Sequence, residues 1–405
     1  MSDSETTPGL NALHNLYAIL LAAPSPANVH ITLVDRRDGF VHFIGITRGL
    51  TEPDFGKKLW VPYSQVPWFS HPQITVKQAA VSQITAKAVH LADGSELSFD
   101  YLIIALGQSR FAPIGVASTT HREFVAEIAE AHENIKKADS VVVVGGGAVG
   151  IEMAADVKAD FPDKHVSLVH SRVLPIPGPF KDEFRKEVVR ILEEDIGVNL
   201  PQSREVGTAE TTSSAFANTP VTLTSGKVLP ADWAIFCLGT QSKLPLISLD
   251  ASVLTPNGIA VKPTLQVDHS DLGHIFAVGD ICARDEVKLA GVAMYGAYIA
   301  ARNIARSVLG MGAYEESEEN PSKLLLLMGK DHWAFQMGDE IWDRERTQQY
   351  VYQDMGPGGV HRRPLASHHA GVLPARSTFG HLRGQAIARI CHSGKSETPL
   401  RNCLI

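Results

Sequence analysis

The feature that most constrains this chain is a run of four valines, Val141–Val144, leading straight into Gly145-Gly146-Gly147-Ala148-Val149-Gly150. β-Branched residues of this kind favour a buried strand. The glycines follow at the spacing G-x-G-x-x-G, a stretch to Lys158 then reads as a helix, and His165–Val169 reads as a second strand. In that setting the spacing predicts a dinucleotide-binding βαβ unit. Gly145 allows the tight turn, Gly147 lets the backbone approach a pyrophosphate, and Gly150 lets helix and strand pack closely. The helix start then turns unpaired N–H groups and the positive end of its dipole toward the phosphates.

The residue that follows the second strand selects the nucleotide. A carboxylate there binds the ribose 2′-hydroxyl of NAD and repels the 2′-phosphate of NADP. This chain has His170-Ser171-Arg172 instead. His170 and Arg172 are therefore expected at the adenosine ribose, in a site that tolerates NADP as well as NAD.

A second unit is visible in part. The strand expected over Val29–Val34 ends on Asp35, where an acidic residue grips an adenosine ribose. Taken alone, Asp35 is also what a strand-end turn would carry. A helix is expected over Leu10–Ala23, with Gly9 ahead of it, but the strand and the first two glycines of the motif do not precede Gly9. The first nucleotide fold is thus expected to be cut at its N-terminus.

Further apolar runs end on glycine: Tyr101–Leu106 before Gly107, Ala234–Leu238 before Gly239, and Ile275–Val278 before Gly279-Asp280. Helices are expected over Glu123–Lys137, Phe180–Ile196 and Lys288–Leu309. This alternation predicts an α/β fold with parallel sheets. With 405 residues there is room for two or three domains, and 44% hydrophobic with 20% charged residues excludes a disordered or collagenous chain. The formal charge of −7 argues against a nucleic-acid partner. Four cysteines without a CxxC pair argue against a disulfide framework, zinc or dithiol chemistry. The longest uncharged apolar stretch, Leu289–Ala301, falls short of the roughly 18 residues of a spanning helix. No Lys or Arg precedes Arg36, so a secretory signal would lack its basic flank. From Gly356 to Ile405 there are seven basic residues, one acidic residue and five histidines without periodicity, which reads as an irregular tail.

Three segments carry a family resemblance. Phe99-Asp100-Tyr101-Leu102-Ile103-Ile104-Ala105-Leu106-Gly107 resembles the strand "YDYLVIATG" of flavoprotein reductases with two dinucleotide folds. Ile235-Phe236-Cys237-Leu238-Gly239 is similar to its counterpart in the nicotinamide domain, and His274-Ile275-Phe276-Ala277-Val278-Gly279-Asp280 to the "IFAVGD" motif. Within that superfamily the chain most resembles the apoptosis-inducing-factor-like branch with ferroptosis suppressor protein and fungal homologues, type II NADH dehydrogenases being cousins. Gly145–Asp156, His165–Arg172 and Lys288–Ile304 support this, and the resemblance spans residues 9–355.

The resemblance implies two Rossmann-like domains, the nicotinamide domain inserted in the FAD domain. Residues 1–118 would be the first part of the FAD domain and 119–245 the NAD(P)H domain. Residues 246–312 would complete the FAD domain, with 313–355 a partial C-terminal domain and 356–405 the tail. It implies FAD as bound cofactor, NAD(P)H as donor, and a quinone or similar small molecule as acceptor. Asp280 would hold the flavin ribityl chain, Glu152 would stand near the nicotinamide and flavin, and Lys288 would stabilise reduced flavin. Gly107, Gly239 and Gly279 would line the cofactors. A cytoplasmic protein touching the mitochondrial outer surface or lipid droplets is the location implied. The incomplete first glycine motif leaves a second expectation open: a pseudo-enzyme that binds NAD(P), holds FAD weakly, and acts as a sensor or interaction protein.

Overall fold

The computed structural model describes residues 29–201, 215–217, 220–223, 225–239, 241–318, 322–348 and 401–405. Gly9 and the helix expected over Leu10–Ala23 lie outside the described residues, as do residues 356–400 of the tail. In chain order, the elements that build the site begin with β1 (Val29–Asp35), β2 (Ile74–Gln78), β3 (Tyr101–Ile104), α1 (His121–Lys137), β4 (Ser140–Val144) and α2 (Ala148–Asp160). They continue with β5 (His165–Val169), α3 (Asp182–Arg190), β6 (Ala215–Ala217), β7 (Trp233–Phe236), β8 (Ile275–Ala277) and α4 (Ala290–Val308). The last are β9 (Lys323–Met328), β10 (His332–Met337), β11 (Glu340–Trp342) and β12 (Arg401–Leu404).

Two sheets organise the molecule. The first has five strands in the order β8-β3-β12-β1-β2, every neighbouring pair parallel. The second has four, β5-β4-β7-β6, with β4 parallel to both neighbours and β6 antiparallel to β7. The chain passes from one sheet to the other through Gln108–Ser109 and returns through Gln241–Ser242, and these two segments pair antiparallel. A third, antiparallel sheet, β9-β10-β11, lies against helices α2 and α3 beside the second sheet.

The local reasons are legible. Val141, Val142, Val143 and Val144 are all at most 2% exposed, each contributing about 1.5–3 kcal/mol by burial. α1 starts on a capping box, in which Thr120 accepts from the Glu123 N–H and the Glu123 carboxylate reaches back. Its apolar face, Phe124, Ile128, Ala131 and Ile135, packs into the core, and Lys136 and Lys137 sit at the negative end of its dipole. α2 is buried from Gly150 to Val157 because the second sheet covers one side and β9 the other. The helix expected over Phe180–Ile196 is α3 followed by a π turn, Ile191–Ile196, that closes on left-handed Gly197.

One expectation is corrected. The last residues of the irregular tail form β12, at the centre of the first sheet. That position, between the strand ending at Asp35 and the strand ending at Gly107, is the one expected to be empty. Its neighbours β1 and β3 present facing rows of backbone N–H and C=O groups inside the molecule, and such groups require a partner. Arg401–Leu404 supplies it.

Candidate functional site

Residues at the carboxyl ends of β4, β5 and β7, together with segments that follow β3 and β8, surround a cavity of about 660 Å³. This crevice is where open α/β sheets bind ligands.

The glycine loop shapes one wall. Gly145 adopts φ +124°, and a Cβ on it would fall 2.4 Å from the Cys237 carbonyl oxygen. A Cβ on Gly150 would lie 1.8 Å from the Gly145 carbonyl oxygen, so helix and strand meet only because neither residue has a side chain. Gly147 differs: nothing lies within 4 Å of its Cβ direction, and it stands as the N-cap of α2 without a capping side chain. The amides of the first helical turn are thus offered to a ligand.

His170 and Arg172 line the same cavity. Burial, with Arg172 nearby, holds the His170 imidazole below its usual pKa. Its Nδ1 accepts the Arg172 backbone N–H at 3.3 Å, which places the proton of the neutral ring on Nε2. Arg172 is exposed at the rim. Gly239, after β7, adds to the wall on the side of the second sheet, and Asp280 and Lys288 complete it on the side of the first. Asp280 is 4% exposed, and its backbone carbonyl accepts from Gln108 Nε2 at 3.1 Å. Lys288 Nζ donates to the Cys282 carbonyl at 2.7 Å and the Arg284 carbonyl at 3.3 Å, anchoring the loop that leads into α4. Gly279 opens the turn that carries Asp280. Gln108 and Arg110 also line this cavity, although no motif singles them out; their signal is their place directly after the strand-end Gly107.

Asp35 lies elsewhere, in a second cavity of about 240 Å³ shared with Tyr63, Leu404 and Ile405. Its Oδ2 accepts the Tyr63 hydroxyl at 2.5 Å and its Oδ1 the Arg37 N–H at 2.9 Å. Burial raises the Asp35 carboxyl, and pushes Tyr63 well above the usual phenol value. Gly107 stands between the two cavities, since Leu106 lines the smaller and Gln108 the larger. Trp60 is core, its ring centroid 5.3 Å from that of Phe124.

Glu152, expected near the nicotinamide and flavin, is not among the residues that line the cavity. It is 2% exposed, and its Oε1 accepts the Leu327 N–H of β9 at 3.0 Å. Burial pushes its carboxyl up to about 8. One turn on, buried Asp156 is pushed up to about 7, with the Arg48 guanidinium 3.8 Å away pulling the other way. The thiols of Cys237 and Cys282 are free and raised to about 12 by burial.

Residues 18–297 match the family described as pyridine nucleotide-disulphide oxidoreductase. The chain belongs to that family. It is 28% identical to oxidoreductase OXR1 of Ajellomyces capsulatus, over 80% of this chain and 74% of that protein. It is 31% identical to ferroptosis suppressor protein 1 of Xenopus tropicalis, over 75% of this chain and 81% of that protein. With an apoptosis-inducing factor homolog of Dictyostelium discoideum also among its relatives, it falls in the apoptosis-inducing-factor-like branch. The fold is shared with the sulfide:quinone oxidoreductase of Aquifex aeolicus, with a TM-score of 0.62 at 14% identity, covering 86% of this chain and 89% of that one.

The chain is a flavoprotein NAD(P)H oxidoreductase, and its cofactors are FAD and NAD(P)H. The residues present fit both. The uncapped start of α2 and the open face of Gly147 suit a pyrophosphate, and the buried Asp280 carboxylate and the Asp35–Tyr63 cavity suit hydroxyl-bearing portions of a flavin nucleotide. The sequence contains no CxxC pair.

Proposed function

We propose that the chain passes reducing equivalents from NAD(P)H, through FAD, to a small acceptor of the quinone class. The observation that carries this reading is a single cavity. Gly145, Gly147 and Gly150, which suit the pyrophosphate of a nicotinamide nucleotide, share it with Asp280 and Lys288, which suit a flavin. When bound, FAD supplies the hydride-accepting ring and NAD(P)H the hydride.

The protein's part is to bind and orient. The α2 amides receive the pyrophosphate. Neutral His170 takes a ribose hydroxyl, and Arg172 at the rim adds a charge-assisted contact for a 2′-phosphate, so NADPH is used as well as NADH. Asp280 accepts hydroxyl protons of the flavin side chain. The Lys288 ammonium, fixed by two carbonyls, puts positive charge where negative charge accumulates on reduction. Buried Glu152, protonated at neutral pH, holds β9 against α2 and so fixes the floor under the nicotinamide end. A lipid-soluble acceptor would bring the chain to a membrane surface on the cytoplasmic side. Among the described residues no helix is long and apolar enough to cross one.

A second reading, an NAD(P) binder that holds FAD weakly, is favoured by one observation. The central strand of the second sheet leads into the glycine loop at Gly145, whereas the central position of the first is filled by Arg401-Asn402-Cys403-Leu404, a segment without glycine. Reconstitution decides. Protein supplied with FAD and then desalted retains about one flavin per chain and reduces a soluble quinone with NADPH under the first reading. Colourless protein that still binds NADPH contradicts it.

A further inference from the structure

The central strand of each nucleotide-binding sheet has equivalent neighbours. β4 lies between β5, which runs to His170, and β7, which runs to Gly239. β12 lies between β1, which runs to Asp35, and β3, which runs to Gly107. The first sheet is therefore a seat, and a segment remote in sequence from both neighbours fills it.

The seat is specific. Asp100, the residue before β3, donates its N–H to the Asn402 carbonyl at 2.9 Å and accepts the Asn402 N–H on Oδ2 at 2.8 Å. Its Oδ1 accepts from the Arg401 guanidinium at 3.3 Å. These charge-assisted contacts fix the register in which the strand enters. Beyond them the strand is apolar and alternates. Cys403 and Ile405 enter one core cluster and Leu404 the opposite one, at 2%, 8% and 4% exposure. The ladder continues where Ile405 N donates to the Thr32 carbonyl at 2.9 Å. Leu404 and Ile405 also form part of the wall of the Asp35 cavity.

We propose that Asp100 is the positioning residue of a strand-docking seat between β1 and β3, that residues 401–405 are its occupant, and that FAD affinity depends on their docking. The last clause rests on the FAD reading above. An empty seat would leave two facing parallel edges with unpaired backbone groups and open the wall beside Asp35.

The test uses the full chain and its own thiols. Cys403 is buried in the seat and Cys237 is half-buried in the wall of the large cavity in the other half, so a change in the alkylation rate of each, read by peptide mapping of native protein, reports local opening. The unmodified chain should protect Cys403, and the rate at Cys237 serves as the reference for the other half. Asp100→Ala should speed Cys403 alkylation by about tenfold or more with Cys237 unchanged, and weaken FAD binding, followed by flavin fluorescence, by a similar factor. Asp100→Asn, whose side-chain oxygen can still accept the Asn402 N–H, should fall between. If Asp100→Ala speeds Cys237 alkylation as well, Arg401→Ala, which removes only the ion pair, decides by the same criteria. Cys403 reacting in the unmodified chain as fast as in denatured protein, or unmoved by these variants, overturns the seat. Unchanged FAD affinity with Cys403 unmasked overturns the link to the cofactor. Failure of the FAD reading itself shows separately, as no flavin uptake by an unmodified chain in which Cys403 is protected.

Discussion

Gly150 and Gly145 are packed so tightly that a Cβ on Gly150 would stand 1.8 Å from the Gly145 carbonyl oxygen. That contact draws the start of α2 up to the end of β4 and aims its amides into the large cavity. Gly150→Val must push helix and strand apart. It is predicted to weaken NADPH binding by about a hundredfold or more, measured by fluorescence titration, while flavin retained in the other half changes little.

Arg172 tests nucleotide choice. It stands exposed at the rim beside a neutral histidine, with no carboxylate at the end of β5. Arg172→Ala is predicted to raise the KM for NADPH by about tenfold and the KM for NADH by less than about twofold. Added salt should erode the NADPH advantage of the unmodified chain. Equal losses for both nucleotides would remove Arg172 from the 2′-phosphate site.

Glu152 sets a pH dependence of stability. Its carboxyl is raised from 4.5 to about 8 by burial, so between those values the folded chain holds a proton that the unfolded chain has released. Stability then falls as pH rises through that window. Glu152→Gln keeps an oxygen for the Leu327 N–H but cannot ionise. The fall in Tm between about pH 6 and about pH 8.5 should be smaller in this variant. Asp156, raised to about 7, retains part of the slope.

The cysteines are predicted to be dispensable for chemistry. Cys237 lines the large cavity and Cys282 follows Asp280 closely, but burial holds both thiols at about 12, far from a reactive thiolate. Cys237→Ala and Cys282→Ala should keep NADPH oxidation within about twofold of the unmodified chain. A loss of activity with flavin content unchanged would point to thiol chemistry.

The half built on the second sheet was legible because its signals are contiguous: a valine strand, a glycine loop, a helix and a second strand in thirty residues, Ser140–Val169. Asp280 was legible through a motif and Lys288 through the family resemblance, and the structure brings both to the cavity of the glycine loop. What was not legible depends on contacts between distant segments. Arg-Asn-Cys-Leu-Ile has no period and follows a basic stretch; only the paired edges of β1 and β3 make it a strand. The orientation of Glu152 depends on β9, which meets α2 from about 175 residues further along. Asp35 carried its strand-end signal, but its bond to Tyr63 comes from a separate segment.

The central claim is that one cavity serves both nucleotides. Its most direct test is anaerobic addition of NADPH to the FAD-reconstituted chain while following flavin absorbance near about 450 nm. Bleaching in proportion to NADPH, slowed by about a hundredfold in Gly150→Val at the same flavin content, is the predicted result. Flavin that stays yellow under excess NADPH and NADH, in protein that demonstrably binds both, would contradict the account.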